Sequence, residues 1–469
     1  MAPTPIAFGT SGWRGILSDD FTFFNLRRAT RAIARLVHEE NRRRAPSLFV
    51  GYDTRFLSEQ LARDVASVLL TEGVRPRLAA DFVPTPVVAH AIRRGRLDGG
   101  INLTASHNPA EYNGLKFSTR DGAPAPPETT RRIEALIAEI HDGSPAPQPR
   151  PSELRTVDPS GPYRAAILRI IDRKALGRGR LRLVCDPLYG AGRGYSQALL
   201  SPVARVTTIR DRRDVLFGGG GPDPNEKHLD ELCAEVRRTG AHLGLATDGD
   251  ADRFGIVDRG GHYVAANLIL ALLADYLLET RGYRSGVART VATTHLLDDV
   301  AEHHGVAHFE TPVGFKYFRD LLLDGKVFLA GEESSGLSVS GHVPEKDGIL
   351  AGCLVAEMVA RRRASLRRQI QLLFRKVGPR HSARRDFRMG PGEVIALRRR
   401  LESPPDSLAG KRVTEVRTTD GTLMLLQDAS WLLLRPSGTE PLVRCYAEAR
   451  SPKDLARLLD AGRSLVLNP

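Results

Sequence analysis

The sequence predicts an α/β protein of three consecutive α/β domains with mixed, mostly parallel sheets, followed by a smaller C-terminal α+β domain. Three observations carry that reading. Strand-like and helix-like segments alternate from about residue 47 to residue 377. A proline-rich stretch, "DGSPAPQPRPSE", interrupts the alternation near residue 150. Beyond residue 377 short strands and turns replace it. At 469 residues the chain also exceeds what one hydrophobic core ordinarily fills.

In the first region, residues 1–152, "SLFVGYD" is an unbroken apolar run with the length of a buried strand. "SEQLARDVASVLLTEG" then carries apolar residues at helical spacing. The strands "PRLAADF" and "DGGINLT" flank the helix "PVVAHAIRRGR", which makes βαβ units. A helix bearing Ile133, Leu136, Ile137 and Ile140 closes the region before the proline-rich linker. Residues 153–256 hold the strand "RLRLVCDPL", the helix "NEKHLDELCAEVRRTG" and the strand "AHLGLATD". Residues 257–377 hold the helix "NLILALLADYLLETRG", the strand "TVATTH", the helix "LLDDVAEHHG" and the strand "KVFLAGEE". They end in one long helical pattern, "DGILAGCLVAEMVARRRASLRRQIQLLFRKVG". In residues 378–469, "RVTEVRTTDGTLMLLQ" reads as a hairpin turning at Asp420-Gly421. "WLLLRPS" and "LVRCYAEA" are further strands, and Ser451-Pro452 opens a final helix.

Composition narrows the function class. A hydrophobic content of 41% with 26% charged residues is ordinary for a soluble globular protein. The most apolar segment, "ANLILALLADYLLET", is broken by Asp275 and is too short to span a bilayer. "MAPTPIAFGTS" lacks the basic region and apolar core of a signal peptide. A cytoplasmic monomer or homodimer without a membrane partner is expected. Cys185, Cys233, Cys353 and Cys445 lie far apart, against a zinc cluster or a disulfide framework. The net charge of +13 comes largely from arginine runs such as Arg42–Arg44, Arg361–Arg363 and Arg398–Arg400, each in or beside a predicted helix. Solvated helix faces explain such runs, and no nucleic-acid signature accompanies them. A positive field also suits a small anionic substrate.

Five stretches carry chemistry. "TASHNP", Thr104 to Pro109, places Ser106 before His107 at the end of a strand; it suits a nucleophile or a turn. "ATDGDADRFG" alternates Asp248, Asp250 and Asp252 where ligand sites occur in open α/β sheets. Three carboxylates so close repel one another unless a cation neutralises them, and oxygen ligands favour Mg²⁺, with Ca²⁺ the competitor. The EF-hand pattern does not apply, since Arg253 and Arg259 stand where glycine and glutamate are required. "RPSGTEP" offers Arg435, Ser437, Gly438 and Thr439, with Arg444 nearby, the inventory of a phosphate cradle. "GEESSG" puts Glu332 and Ser334 where they can hydrogen-bond sugar hydroxyls, and "FGTSGWRG" holds a single cation, Arg14. The run Gly218–Gly221 lacks a phosphate-loop lysine and reads as a flexible loop.

Taken together, TASHNP, DGDADR, GEES and RPSGTEP resemble the α-D-phosphohexomutase family, the phosphoglucomutases and phosphomannomutases, from Phe8 to about Ala449. The resemblance implies four domains around a central cleft. It implies that Ser106 carries a phosphoryl group, which completes the coordination of Mg²⁺ held by Asp248, Asp250 and Asp252. It assigns Lys116 and Arg14 to proton transfer with His107 in support. Arg253, Glu332, Ser334 and the loop of Arg435, Ser437, Gly438, Thr439 and Arg444 fall to the substrate. The implied reaction interconverts glucose 1-phosphate and glucose 6-phosphate through a bisphosphorylated sugar, glucose 1,6-bisphosphate, which also serves as activator. Ala251 and Glu333 set the chain apart from the phosphoglucosamine mutases, which tend to have glycine and glutamine there. Glu333 and Ser335 depart from the glucose/mannose enzymes, where methionine and glycine are common. A phosphomannomutase or dual-specificity mutase is the alternative, and a non-catalytic sugar-phosphate-binding protein is a more distant one.

Overall fold

The computed structural model describes residues 6–147, 153–437 and 442–467. Its first sheet has six strands, lying side by side in the order Trp13–Ile16, Tyr112–Thr119, Gly99–Leu103, Ser47–Tyr52, Arg75–Ala79 and Arg155–Val157. The last four run parallel and the first two antiparallel to their neighbours. Because Ser47–Tyr52 and Gly99–Leu103 are parallel, both deliver their following loops, Asp53–Arg55 and Thr104–Pro109, to one edge. The second sheet orders His262–Val264, Phe254–Asp258, Leu243–Thr247, Arg182–Asp186 and Arg205–Thr208, and the third His308–Thr311, Gly286–Thr290, Val327–Glu332 and Gly336–Val339. Arg155–Val157 therefore extends the first sheet past residue 152, and His262–Val264 extends the second past residue 256.

The fourth sheet is antiparallel throughout, ordering His381–Arg388, Leu442–Ala449, Trp431–Pro436, Thr422–Leu426, Lys411–Arg417 and Ser407–Leu408. It has its own core around Leu432, Leu434, Val443, Leu458 and Leu459. A single larger core runs through the first three domains and includes Leu26, Tyr163, Leu296 and Met358. The helix Gly348–Arg362, buried almost all round, is its central member. Val291 and Ala292 of the third domain pack on Leu423, Trp431 and Leu433 of the fourth. Beside them the buried Glu448 accepts from Thr294 Oγ1, from the His295 amide at 3.1 Å and from Trp431 Nε1 at 3.0 Å.

Two local expectations need correction. The strand written in "TVATTH" lies one step earlier, at Gly286–Thr290, and the threonines that follow it form a turn. The Thr290 and Thr293 hydroxyls bond each other at 2.8 Å, which satisfies them without a sheet partner. The long pattern over residues 347–378 is two helices, Gly348–Arg362 and Leu366–Val377. Arg363 turns left-handed (φ 50°) and the Ser365 side chain caps the second helix by accepting from the Arg368 amide.

Candidate active site

Ser106 sits in the strand-to-loop turn after Gly99–Leu103, with φ 53°, the left-handed region that favours glycine. That turn is held by its neighbours. The Ser106 amide donates to Thr104 Oγ1 at 2.9 Å. The buried Arg55 guanidinium donates to the carbonyls of Ser106 (2.7 Å), Asn108 (2.6 Å), Pro109 (2.7 Å) and Tyr112 (3.0 Å). Arg55 is itself oriented by Asp53 at 3.2 Å and stacks over Phe217, 4.9 Å from the ring centre. Arg55 escaped the sequence reading. Its signal was present in "GYDTRF", charged residues just past the end of a parallel strand. The glycine run beside Phe217 is part of this packing, since Gly221 faces the His107 carbonyl.

The structure brings the two loops together. Ser106 Oγ donates to Asp248 Oδ2 at 2.7 Å, across 142 residues of sequence. A Cβ on Gly249 would stand 2.5 Å from the Ser106 carbonyl oxygen, so no other residue fits that close approach. The aspartate loop is tied to three domains: Thr85 donates its amide to the Asp250 carbonyl, Ala191 to Gly249, and Gly348 to Ala251. Asp248, Asp250 and Asp252 are all buried, with ligand atoms within 4.8 Å of one another. Asp250 Oδ1 and Asp252 Oδ1 are buried without a hydrogen-bond partner. Burial and the charges of Asp250 and Asp252 push the Asp248 carboxyl well above the usual range. Three crowded carboxylates with two unpartnered buried oxygens fit a hard divalent cation.

Cations surround this acidic group. Lys116, on the strand Tyr112–Thr119, reaches Asp250 at 2.5 Å and Asp252 at 2.8 Å. Burial disfavours its charge, but the two aspartates outweigh that and hold it above an ordinary lysine. Lys346, absent from the sequence reading, pairs with Asp252 at 3.2 Å. Burial works against the Asp252 charge as well, yet Lys116 and Lys346 keep it below the usual carboxylate range. Arg14 reaches the loop through Asn108 Oδ1 at 2.5 Å. His107 Nδ1 lies 3.3 Å from Ser106 Oγ; burial, then Arg253 and Arg14, hold the ring neutral. The Arg253 amide donates to Asp248 Oδ1 at 3.0 Å.

The sugar loop follows the strand Val327–Glu332. Glu332 is buried and its carboxyl is pushed up to about 7 by burial, against the pull of Lys346. Ser334 is half-buried beside it. Ser335 adopts φ 71°, which explains why glycine suits this position. In the fourth domain Arg435 and Arg444 face each other directly across two strands. Asp420 stands beside Arg435, and Asp386 lies opposite Arg444 on the next strand. Arg435 is oriented by Asp420 at 2.8 Å, and Asp420 also accepts from the Val313 amide of the third domain at 2.9 Å. The Ser437 amide donates to the Leu442 carbonyl at 2.9 Å, while Gly438 and Thr439 lie outside the described residues. Asp420 thus links Arg435 to the third domain.

Family models for the phosphoglucomutase/phosphomannomutase alpha/beta/alpha domains I, II and III match residues 5–143, 162–261 and 265–377, and that of the C-terminal domain matches residues 396–463. The chain belongs to the phosphoglucomutase/phosphomannomutase family. It is thus an enzyme of the phosphohexomutase class with the four-domain architecture of that family. A "Phosphoglucomutase/phosphomannomutase" of Thermococcus kodakarensis is 32% identical over 98% of both chains. A "Probable phosphoglucosamine mutase" of Methanothermobacter thermautotrophicus is 31% identical, covering 99% of this chain and 98% of its own. A crystal structure of a "putative phosphomannomutase" from Thermus thermophilus superposes with a TM-score of 0.86 at 34% identity, covering 99% of each chain. Within the family, then, relatives of similar distance carry the names of different mutases.

Proposed function

We propose that this family member interconverts glucose 1-phosphate and glucose 6-phosphate, carrying the phosphoryl group on Ser106. The observation that supports the reading most directly is the buried Ser106 hydroxyl, held in a left-handed turn and aimed at Asp248. In the forward half-reaction the bond between Ser106 Oγ and phosphorus breaks as the free hydroxyl of the sugar monophosphate bonds to phosphorus. The sugar hydroxyl loses its proton and Ser106 Oγ regains one. The resulting glucose 1,6-bisphosphate turns over in the cleft, and its other phosphoryl passes back to Ser106. Asp248, Asp250 and Asp252 would hold Mg²⁺, which supplies neutralisation of charge on the transferring phosphoryl group.

The protein's own groups then divide the remaining work. Lys116 is protonated between Asp250 and Asp252, so in this arrangement it is a proton donor. It serves as a base only once those carboxylates are engaged elsewhere. His107, neutral and 3.3 Å from Ser106 Oγ, can share the serine proton. Arg253 and Arg14 orient the phosphoryl group, Glu332 and Ser334 the sugar hydroxyls, and Arg435 with Arg444 the phosphate that is not reacting. Glucose is supported over glucosamine by Ala251 and Glu333, which stand where phosphoglucosamine mutases tend to have glycine and glutamine. A phosphomannomutase or a dual glucose/mannose mutase is the second reading, favoured by the likeness to the Thermus thermophilus structure and to the Thermococcus kodakarensis relative.

The deciding experiment compares kcat/KM for glucose 1-phosphate and mannose 1-phosphate with Mg²⁺ and the matching bisphosphate. One hydroxyl separates the sugars, so a glucose preference of about tenfold or more is expected. Comparable rates would make it a dual mutase, and activity with neither sugar overturns both readings. Stripping divalent ions with EDTA is expected to abolish turnover and added Mg²⁺ to restore it. Asp252→Asn should raise the Mg²⁺ concentration needed by about tenfold or more. Undiminished turnover in EDTA would remove the ion from the mechanism.

A further inference from the structure

We propose a second anion site, between the second and third domains, that takes a compact ligand carrying a polyphosphate group. It is a cavity of about 950 Å³ lined by six cations: Arg173, Lys174, Arg178, Arg180, Arg259 and Arg363. Among the described residues no carboxylate lines it. Among the described contacts, none of these six side chains has a hydrogen bond or an ion pair within the chain. The contrast with the adjacent arginines is direct. Arg361 pairs with Asp172 and Arg362 with Asp275 and Glu279, whereas Arg363 turns into the cavity.

The walls are preformed. The helices Arg173–Gly179 and Gly348–Arg362 pack so closely that a Cβ on Gly179 would meet the Ala360 methyl at 2.5 Å. Arg180 and Arg363 end those helices in left-handed conformations, φ 46° and 50°, where glycine would be relaxed. Attraction of cations to helix C-terminal ends accounts for Arg178, Arg180 and Arg363. It does not account for Arg173 and Lys174, at the opposite end of their helix, nor for Arg259 in a hairpin turn. An anion in the cavity accounts for all six. The volume suits a small molecule, and Leu181, Val359 and Ala360 give it an apolar wall.

The site is separate from the Ser106 cluster. His242, at the cavity, precedes the strand Leu243–Thr247, and Asp248 follows that strand, so the two lie at opposite edges of one sheet. The shared chemistry is a polyphosphate group; its source is either free inorganic polyphosphate or a nucleoside polyphosphate, whose base would use the apolar wall.

Calorimetric titration of the full chain in EDTA, with inorganic tripolyphosphate in one arm and ATP in the other, tests this. Arg180→Ala/Arg363→Ala is expected to weaken the binding about tenfold or more while sugar-phosphate turnover stays within about twofold. Arg173→Gln/Lys174→Gln repeats the test without touching either left-handed residue. Arg42→Ala/Arg43→Ala, exposed and outside the cavity, should bind as the unmodified protein does. ATP binding about tenfold tighter than tripolyphosphate assigns a nucleotide, and equal binding assigns the free polyphosphate. No binding of either probe, unchanged binding in both cavity variants, or equal weakening in the Arg42/Arg43 control overturns the proposal.

Discussion

Ser106→Ala is expected to lower kcat by about 10⁴-fold or more, because it removes the hydroxyl proposed to carry the phosphoryl group. The fold should survive. Alanine tolerates φ 53° about as serine does, and Asp248 keeps the Arg253 amide at 3.0 Å after losing the serine hydroxyl. Incubation with glucose 1,6-bisphosphate followed by intact mass measurement separates two causes of a loss. The unmodified protein should gain one phosphoryl group and the variant none. Turnover within about tenfold of the unmodified protein would rule out Ser106 as carrier and, with it, the proposed reaction course.

The second large effect is expected at a residue that touches no substrate. Arg55→Lys keeps the positive charge but loses the planar fork that spans the carbonyls of Ser106, Asn108, Pro109 and Tyr112. A lysine can reach only some of them, and the buried carbonyls left over lose their donors. We expect stability to fall by about 1–3 kcal/mol and kcat by about 100-fold through misplacement of Ser106. KM should change little, because the phosphate loop and the sugar loop lie on other domains. Urea unfolding and steady-state kinetics on the folded variant decide the matter. A loss of stability with kcat intact would make Arg55 a structural residue only.

The contrast between Ser106 and Arg55 shows what can be read in the sequence. TASHNP and DGDADR announce themselves because polar, turn-forming residues break apolar runs at strand ends, where ligands bind in α/β sheets. Arg55 contacts backbone carbonyls, which every residue supplies, so its partners leave no mark in the sequence. Lys346 is equally silent, since only the fold carries it to Asp252. The alternating rhythm gave the three α/β domains and the change beyond residue 377 gave the fourth, because burial on both sheet faces leaves long apolar runs. Composition misled where two structures share it. Thr290–His295 has the β-branched content of a strand, but the strand ends at Thr290 and the hydroxyls that follow bond Thr290 and Glu448 from a turn. The helix break at Arg363 had one signal, the capping residue Ser365, and the apolar periodicity on either side concealed it.

Glu448 ties the fourth domain to the third. Its buried carboxylate holds Thr294 and His295 of the third domain beside Trp431 and Arg380 of its own, so parting the domains there would cost two hydrogen bonds to a charged group. The Asp420–Val313 contact, half-exposed and a single hydrogen bond, is far cheaper to break. Of the two joints, the one at Glu448 is therefore the firmer and the one at Asp420 the weaker. Because Asp420 also orients Arg435, loss of the weaker joint would free the side chain proposed to hold the phosphate, so domain contact and phosphate affinity would change together.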